Sequence, residues 1–301
     1  MGGRPAGRND SGWRVVTRRR DLERHRDSLE EIGEILTSMK TLAFMETRKL
    51  SRFLLAQQNV VESITEAATD FLAFYPAAAG PADEAATAIL AVGTERGFCG
   101  DFNRRIRRRI DYAVEEFGAE RLRVIAIGQK LRPLLEDEPS TVTVLDGASV
   151  VEEIPAVLQS VIDALQRLQE GFGGLRLLGI HQADDRVLMS PLLPPVFPPS
   201  DGSTGPAFPP MLNVPAQDLF PELVDHYLFA ALHNMLYSSL MAENQRRVQH
   251  LEGAVRYIGQ KSAELTRRCR ALRQEEIIEE IEVILLSVTG DDTGDAGREG
   301  A

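Results

Sequence analysis

What most constrains this chain is a heptad pattern at each of its two ends. Positions 22, 25, 29, 32, 36, 39, 43, 46, 50, 53, 57, 60, 64, 67, 71 and 74 step alternately by three and four, and thirteen of these sixteen residues are apolar. Only His25, Glu46 and Gln57 break the run. Such spacing follows one face of an α-helix, the face that a coiled coil buries. No proline lies between Leu22 and Tyr75, and Gly33 is the one weak helix former, of a kind that destabilises by about 1 kcal/mol. At about 1.5 Å per residue the predicted helix, residues 21–75, would be roughly 80 Å long. A helix of that length needs a partner along much of its surface. Its expected seam includes Leu29, Ile32, Leu36 and Met39.

The partner is expected at the other end of the chain. After Pro221 no proline follows, and helix formers continue to about Leu286, giving a second predicted helix over residues 222–288. Met241, Val248, Val255, Ser262 and Cys269 take one heptad position, and Asn244, Leu251, Ile258, Leu265 and Leu272 take the other. After Leu272 the apolar phase slips by one residue and resumes as Ile277, Ile281, Ile284 and Val288, a change expected to alter the local winding of a coiled coil. Two long helices from opposite termini form an antiparallel pair if a compact domain joins them.

The middle of the chain supplies such a domain over residues 76–193. TAILAVGT, LRVIAIG, TVTVLDG, LRLLGIHQ and RVLMSPLL read as strands, and the segments 102–117 and 151–168 read as helices between them. The alternation implies a largely parallel sheet in a Rossmann-like α/β insert. The fold class is therefore mixed α+β: a long antiparallel coiled coil of the N- and C-terminal helices with a central α/β insert. Residues 194–221, rich in Pro, Gly and Ser, are expected as an exposed loop. Residues 1–20 are expected as a disordered basic arm, and 289–301 as a disordered acidic tail.

Charge and cysteine usage exclude several functions. A net charge of −11 argues against nucleic acid as a partner, because phosphate affinity comes largely from cationic side chains. No apolar run approaches the roughly 18 residues that a membrane span requires. Cys99 and Cys269 are the only cysteines, far apart in the sequence, so neither a disulfide framework nor a zinc site is indicated; two reduced thiols are expected.

The first strand runs into TERGFCGDFN, residues 94–103, which is similar to the signature of F-type ATP synthase gamma subunits at nine of ten positions: Thr94, Gly97, Cys99, Gly100 and Asn103 among them, with Asp101 the departure. RQEEIIEEIEVI, residues 273–284, resembles that family's C-terminal segment. Between them, Tyr227, Leu228, Leu232, Ser239, Glu243 and Arg247 also fall on its pattern, and IGQKL at 127–131 keeps its Gly and Lys. The resemblance covers about residues 20–288, and LEEIGEIL at 29–36 marks a divergent member. It implies a non-catalytic central rotor shaft without cofactor, which couples ion-driven rotation to ATP synthesis or hydrolysis. It further implies a ring of alpha and beta subunits around the shaft, with Arg273, Gln274, Ile277, Glu280, Ile281, Ile284 and Leu285 as the bearing. The implied partners below are an epsilon-like subunit and a ring of membrane c subunits. The implied location is peripheral, on the cytoplasmic face of the inner membrane, with membrane association only through partners.

The same residues admit other readings. Gly93, Gly97 and Gly100 lack the spacing of a dinucleotide or Walker loop, so a structural turn is expected. Cys99 beside Arg96 could be an activated thiol, but a small packed residue is the expected role. The arginines 104, 105, 107, 108 and 109 could bind acidic partners or nucleic acid, with a solvated helix face expected. The five histidines lack metal-ligand spacing. An α/β enzyme with coiled-coil arms and a scaffold unrelated to ATPases are the rival functions.

Overall fold

The computed structural model describes residues 10–76, 86–138, 140–170, 175–197 and 208–291. Helix α1 spans Asp10–Phe74 and helix α4 spans Ala216–Asp291. Between them come β1 (Ala86–Val92), α2 (Phe102–Phe117), β2 (Leu122–Ile127), β3 (Thr141–Leu145), α3 (Ile154–Glu170), β4 (Leu175–Ala183) and β5 (Arg186–Leu193). The chain divides into two compact units, Lys40–His250 and Met1–Met39 with Leu251–Ala301, so the two long helices contribute to both.

In the Lys40–His250 unit the sheet order is β3-β2-β1-β4-β5. The first four strands are parallel, and β5 returns antiparallel to β4. The reversal follows from the short link at Asp184 and Asp185, where Asp184 has φ 49°, a left-handed conformation that Asp tolerates better than most residues. Strand residues alternate between two cores. Leu90, Val92, Ile125, Ile127 and Leu177 meet Val157, Val161 and Leu165 of α3, Leu232, Met235 and Leu236 of α4, and Leu50 of α1. Ile89, Ala91, Val124, Ala126 and Ile180 meet Phe102, Ile106 and Ile110 of α2. Burial on both faces explains the continuous apolar runs of the parallel strands. Within this unit α1 runs antiparallel to α4: Phe71 stacks on Phe220, Gln57 donates to the carbonyl of Ala230, and Phe53 stacks on Tyr237. Glu46, a break in the heptads, accepts from the amide of Val151 at 3.4 Å, and the neighbouring Lys49 pairs with Glu152.

In the other unit α1 and α4 also pair antiparallel. Arg19 meets Glu276, Glu30 accepts from Ser262 at 3.0 Å, and a Cβ on Gly33 would lie 3.4 Å from Ile258. Leu36, Leu251, Leu265 and Cys269 are buried there.

Several expectations need correction. Helix α1 begins at Asp10, so residues 10–20 are helical and not part of a disordered arm; residues 1–9 lie outside the described residues. Helix α4 begins at Ala216, where the carbonyl of Pro215 accepts from the amides of Asp218 and Leu219. Pro221 is accommodated in its second turn, close enough to the start that little of the hydrogen-bond ladder is lost. The helix reaches Asp291; 198–207 of the expected loop and 292–301 of the expected tail lie outside the described residues.

On α1 one of the two expected heptad positions turns inward throughout, and the other only at Met39, Glu46 and Phe74. Leu29, Leu36, Ala43, Leu50, Ile64 and Phe71 are buried or half-buried, but Ile32, Phe53, Val60 and Ala67 are exposed. The second inward position lies one residue later, at Gly33, Thr47, Leu54, Val61 and Ala68. At Gly33 the missing side chain lets α4 approach closely, since a Cβ there would already touch Ile258. Met39 is half-buried. On α4, Val248, Leu251, Val255, Ile258, Leu265 and Leu272 are all buried or half-buried. The phase slip after Leu272 does not occur. Glu276 and Glu279 take the next inward positions, and Arg19 neutralises Glu276 at 2.9 Å. Ile277, Ile281 and Ile284 consequently stay exposed.

Candidate functional site

The signature segment forms a tight loop between β1 and α2, and each of its polar groups has a definite task. Thr94 and Asn103 bond reciprocally: the Thr94 amide donates to Asn103 Oδ1 at 2.9 Å, and Asn103 Nδ2 donates to Thr94 Oγ1 at 2.8 Å. This ties the end of β1 to the first turn of α2. Phe98 and Gly100 take left-handed conformations, with φ 64° and 63°, which fold the chain back between these anchors. Gly128 at the end of β2 completes the packing: with φ 103°, a Cβ there would lie 2.7 Å from the carbonyl oxygen of Thr94.

Two acids bind the loop to its surroundings. Glu95 Oε2 accepts from the amides of Gln129 at 3.1 Å and Gly147 at 2.7 Å, joining the ends of β1, β2 and β3. Glu243 of α4, wholly buried, accepts from the amides of Glu95 and Arg96, both at 3.4 Å, and pairs with Arg247 one turn later. Arg247, also buried, donates to the Gly97 carbonyl at 3.2 Å and to Asn244 Oδ1 at 2.8 Å. Burial pushes the Glu243 carboxyl above the usual carboxylate range; Arg247 and the loop amides oppose that shift. The result is a buried clamp between α4 and the signature loop.

These bonds bear on the alternative readings. The amides of Thr94, Glu95 and Arg96, which could have cradled a phosphate, are taken by Asn103 and Glu243. Cys99 is buried and its thiol is pushed up to about 12, first by desolvation and then by Glu243, so it is a packed thiol and not a nucleophilic thiolate. Among the described residues no three His, Cys, Asp or Glu side chains are placed to hold a metal.

The remaining site residues lie elsewhere in the fold. Arg273, Gln274, Ile277, Glu280, Ile281, Ile284 and Leu285 are all exposed on α4 within the unit of Met1–Met39 and Leu251–Ala301. In the sequence Glu243 and Arg247 fall on a family pattern, and nothing in that pattern reveals that they close the loop. The available signal was an acid and a base at i and i+4 flanking Asn244, a polar residue at a seam position.

The sequence profile of the ATP synthase family matches residues 18–289. No curated protein matches the chain. Among solved structures, the chain resembles one from the Euglena gracilis mitochondrial ATP synthase assembly of OSCP, F1 and c-ring, in rotational state 3. That match has a TM-score of 0.61 at 13% identity and covers 95% of this chain and 98% of the other. It also resembles a chain of the Euglena gracilis mitochondrial ATP synthase rotor, with TM-score 0.53 at 13% identity, covering 87% and 99%. A third likeness, to the central stalk and c-ring of the Tetrahymena thermophila mitochondrial ATP synthase, has TM-score 0.53 at 15% identity and covers 73% and 99%. These likenesses concern the fold. With the profile spanning nearly the whole chain, from α1 through the clamped signature loop to the far end of α4, the chain belongs to the ATP synthase gamma-subunit family.

Proposed function

We propose that this chain is the turning central stalk of a rotary ATP synthase, and that its role is mechanical rather than catalytic. The observation that carries the reading is the end of α4, where Ile277, Ile281, Ile284 and Leu285 are 47 to 60% exposed although the same helix buries its seam a few turns earlier. A surrounding ring of alpha and beta subunits needs such a surface, since apolar side chains slide in a sleeve without forming directional bonds. Arg273, Gln274 and Glu280 flank it. An asymmetric shaft presents a different face to each of three similar catalytic subunits and so biases each toward a different conformation, which couples rotation to nucleotide affinity. The α/β insert would engage an epsilon-like subunit and the ring of membrane c subunits. No described helix is long and apolar enough to cross a membrane. Attachment at the cytoplasmic face would come through these partners.

The clamp supports the same reading. A sheet domain that receives torque must be joined to the helix that delivers it, and Glu243, Arg247 and Asn244 make that joint with buried bonds. Tagged chain should copurify with ATPase ring subunits and have no turnover of its own. Leu251→Asp combined with Ile258→Asp should uncouple ATP hydrolysis from ion transport while nucleotide binding persists. ATP turnover by the isolated chain, or its purification without a ring, would overturn the proposal.

A further inference from the structure

One recess in the Lys40–His250 unit interrupts the close packing of its core. Over β4, a Cβ on Gly179 would lie only 2.7 Å from Met235 Sδ, so sheet and α4 are in contact there. Earlier in the same strand, Leu177 instead joins Leu165 of α3 and Leu232 of α4 in the buried floor of a cavity of about 350 Å³. That volume is the share of on the order of ten water molecules, whereas protein interiors leave few voids larger than one. Leu228 and Phe229 of α4 add a wall, and Phe229 is 51% exposed. Water finds few hydrogen-bond partners against such a lining, and the volume lies within the range of small-molecule pockets, about 300–1,000 Å³.

The charge at the mouth of this cavity is negative. Gln166, Gln169 and Asp225, all exposed, complete its polar lining, and no Lys, Arg or His contributes to it. Asp225 has no ion pair among the described residues. The charged residues next round the two helices are acids as well, Glu170 on α3 and Glu222 on α4. Arg167 lies farther round α3, where its Nε donates to the Asp163 carbonyl at 3.0 Å, and Arg176 alternates to the other face of β4. His226 lines a separate groove against α1. Helix α3 ends at Glu170, so its last carbonyls add partial negative charge beside Gln169.

We infer that this cavity binds a small amphiphilic amine, its apolar body among the leucines and its cationic head at Asp225. The floor accepts any apolar group of fitting size; the mouth chooses among heads. An anionic amphiphile would bring its own charge against Asp225 and the end of α3, an alcohol gains nothing there, and a cation gains a partner. An exposed ion pair changes affinity only a few-fold, so the apolar body supplies most of the binding and the head supplies the choice. The inference concerns the insert and does not rest on the rotor reading.

The test is calorimetric titration of the full chain with octylamine, octanol and octanoate, repeated on the native assembly with which the chain copurifies. Octylamine should bind most tightly and octanoate least, and shortening the amine should weaken binding about fourfold per methylene. Asp225→Asn should weaken octylamine about threefold and leave octanol unchanged. Leu228→Trp, which fills the cavity, should abolish binding; Ile162→Phe replaces it if that variant melts below the wild type. Absence of octylamine binding, octanoate binding as tight as octylamine, or an Asp225→Asn variant that binds octylamine as the wild type does overturns the inference. So does amine binding that survives both filling variants. Dimerisation of the chain that Leu228→Trp abolishes would make a second copy the occupant and overturn it too. Binding by the isolated chain but not by the assembly would do the same, because a partner chain would then cover the recess.

Discussion

Removing Arg247 tests the clamp between α4 and the signature loop most directly. Arg247→Met keeps the length and apolar stem of the side chain but deletes three partnerships: with the Glu243 carboxylate, with Asn244 Oδ1 and with the Gly97 carbonyl. Glu243 is 3% exposed, so its charge cannot turn to water. Breaking one side of a buried ion pair destabilises by about 3–5 kcal/mol. For a unit of about 200 residues, each kcal/mol lowers the melting temperature by about 2–4 °C, which gives a drop of about 6–20 °C. The double variant Glu243→Leu/Arg247→Met removes both charges and should be no less stable than either single variant, whereas independent contributions would sum to about 6–10 kcal/mol. Urea denaturation followed by circular dichroism measures the four corners of this cycle. Amide exchange at Glu95 and Arg96, whose N–H groups face Glu243, reports whether the loop loosens with it. A double variant that loses the sum of the two single losses would refute the clamp as a coupled unit.

Three further outcomes follow from single positions. Burial pushes His181 down to about 4 from an ordinary value of 6.5, so the native state holds it neutral. Its contribution is present above pH 6.5 and is lost as pH falls through 4, amounting to about 3 kcal/mol; the stability gap between wild type and His181→Leu in urea should narrow by that amount between pH 7 and pH 4. Gly128→Ala should destabilise by more than about 2 kcal/mol, because strain at φ 103° is joined by contact with Thr94, whereas Gly118→Ala, at φ 81° with open space around it, should lose only about 1 kcal/mol. Ile277→Ser combined with Ile281→Ser should leave the melting curve of the isolated chain within about 0.5 kcal/mol of wild type yet impair assembly with the ring subunits; normal assembly would detach these residues from the bearing.

The elements were legible in the sequence wherever one physical signal dominated. The strands announced themselves because burial on both faces makes parallel strands continuously apolar, and α2 was placed at 102–117, its observed limits. The seam of α1 was half legible. Heptad counting cannot separate Ile32 from Gly33, because a small residue that permits close approach scores as a break while the exposed isoleucine scores as a match. The supposed slip after Leu272 failed for the opposite reason: Glu276 looks like a surface residue until Arg19, more than 250 positions away in sequence, is seen to neutralise it. The clamp was hidden for a similar reason. Glu243 and Arg247 are neighbours on one helix, but the amides that donate to Glu243 and the carbonyl that accepts from Arg247 lie in a loop some 150 residues earlier.

The end of α4 inverts the usual arrangement of an amphipathic helix, and that inversion bears on what holds it. Toward α1 it presents Glu276 and Glu279; away from α1 it presents Ile277, Ile278, Ile281, Ile284 and Leu285. An ion pair such as Arg19 with Glu276 contributes at most about 1 kcal/mol where water has access. Covering five half-exposed apolar side chains contributes about 1 kcal/mol each, on the order of 5 kcal/mol together. A partner that enclosed this end would therefore supply more of its favourable free energy than the helix pair does. A shaft tip built this way is loosely held alone and firmly held only inside a fitting sleeve, so its order should rise on assembly, and amide exchange across residues 273–285 should slow far more on joining the ring than exchange around Leu251, which the fold already buries completely.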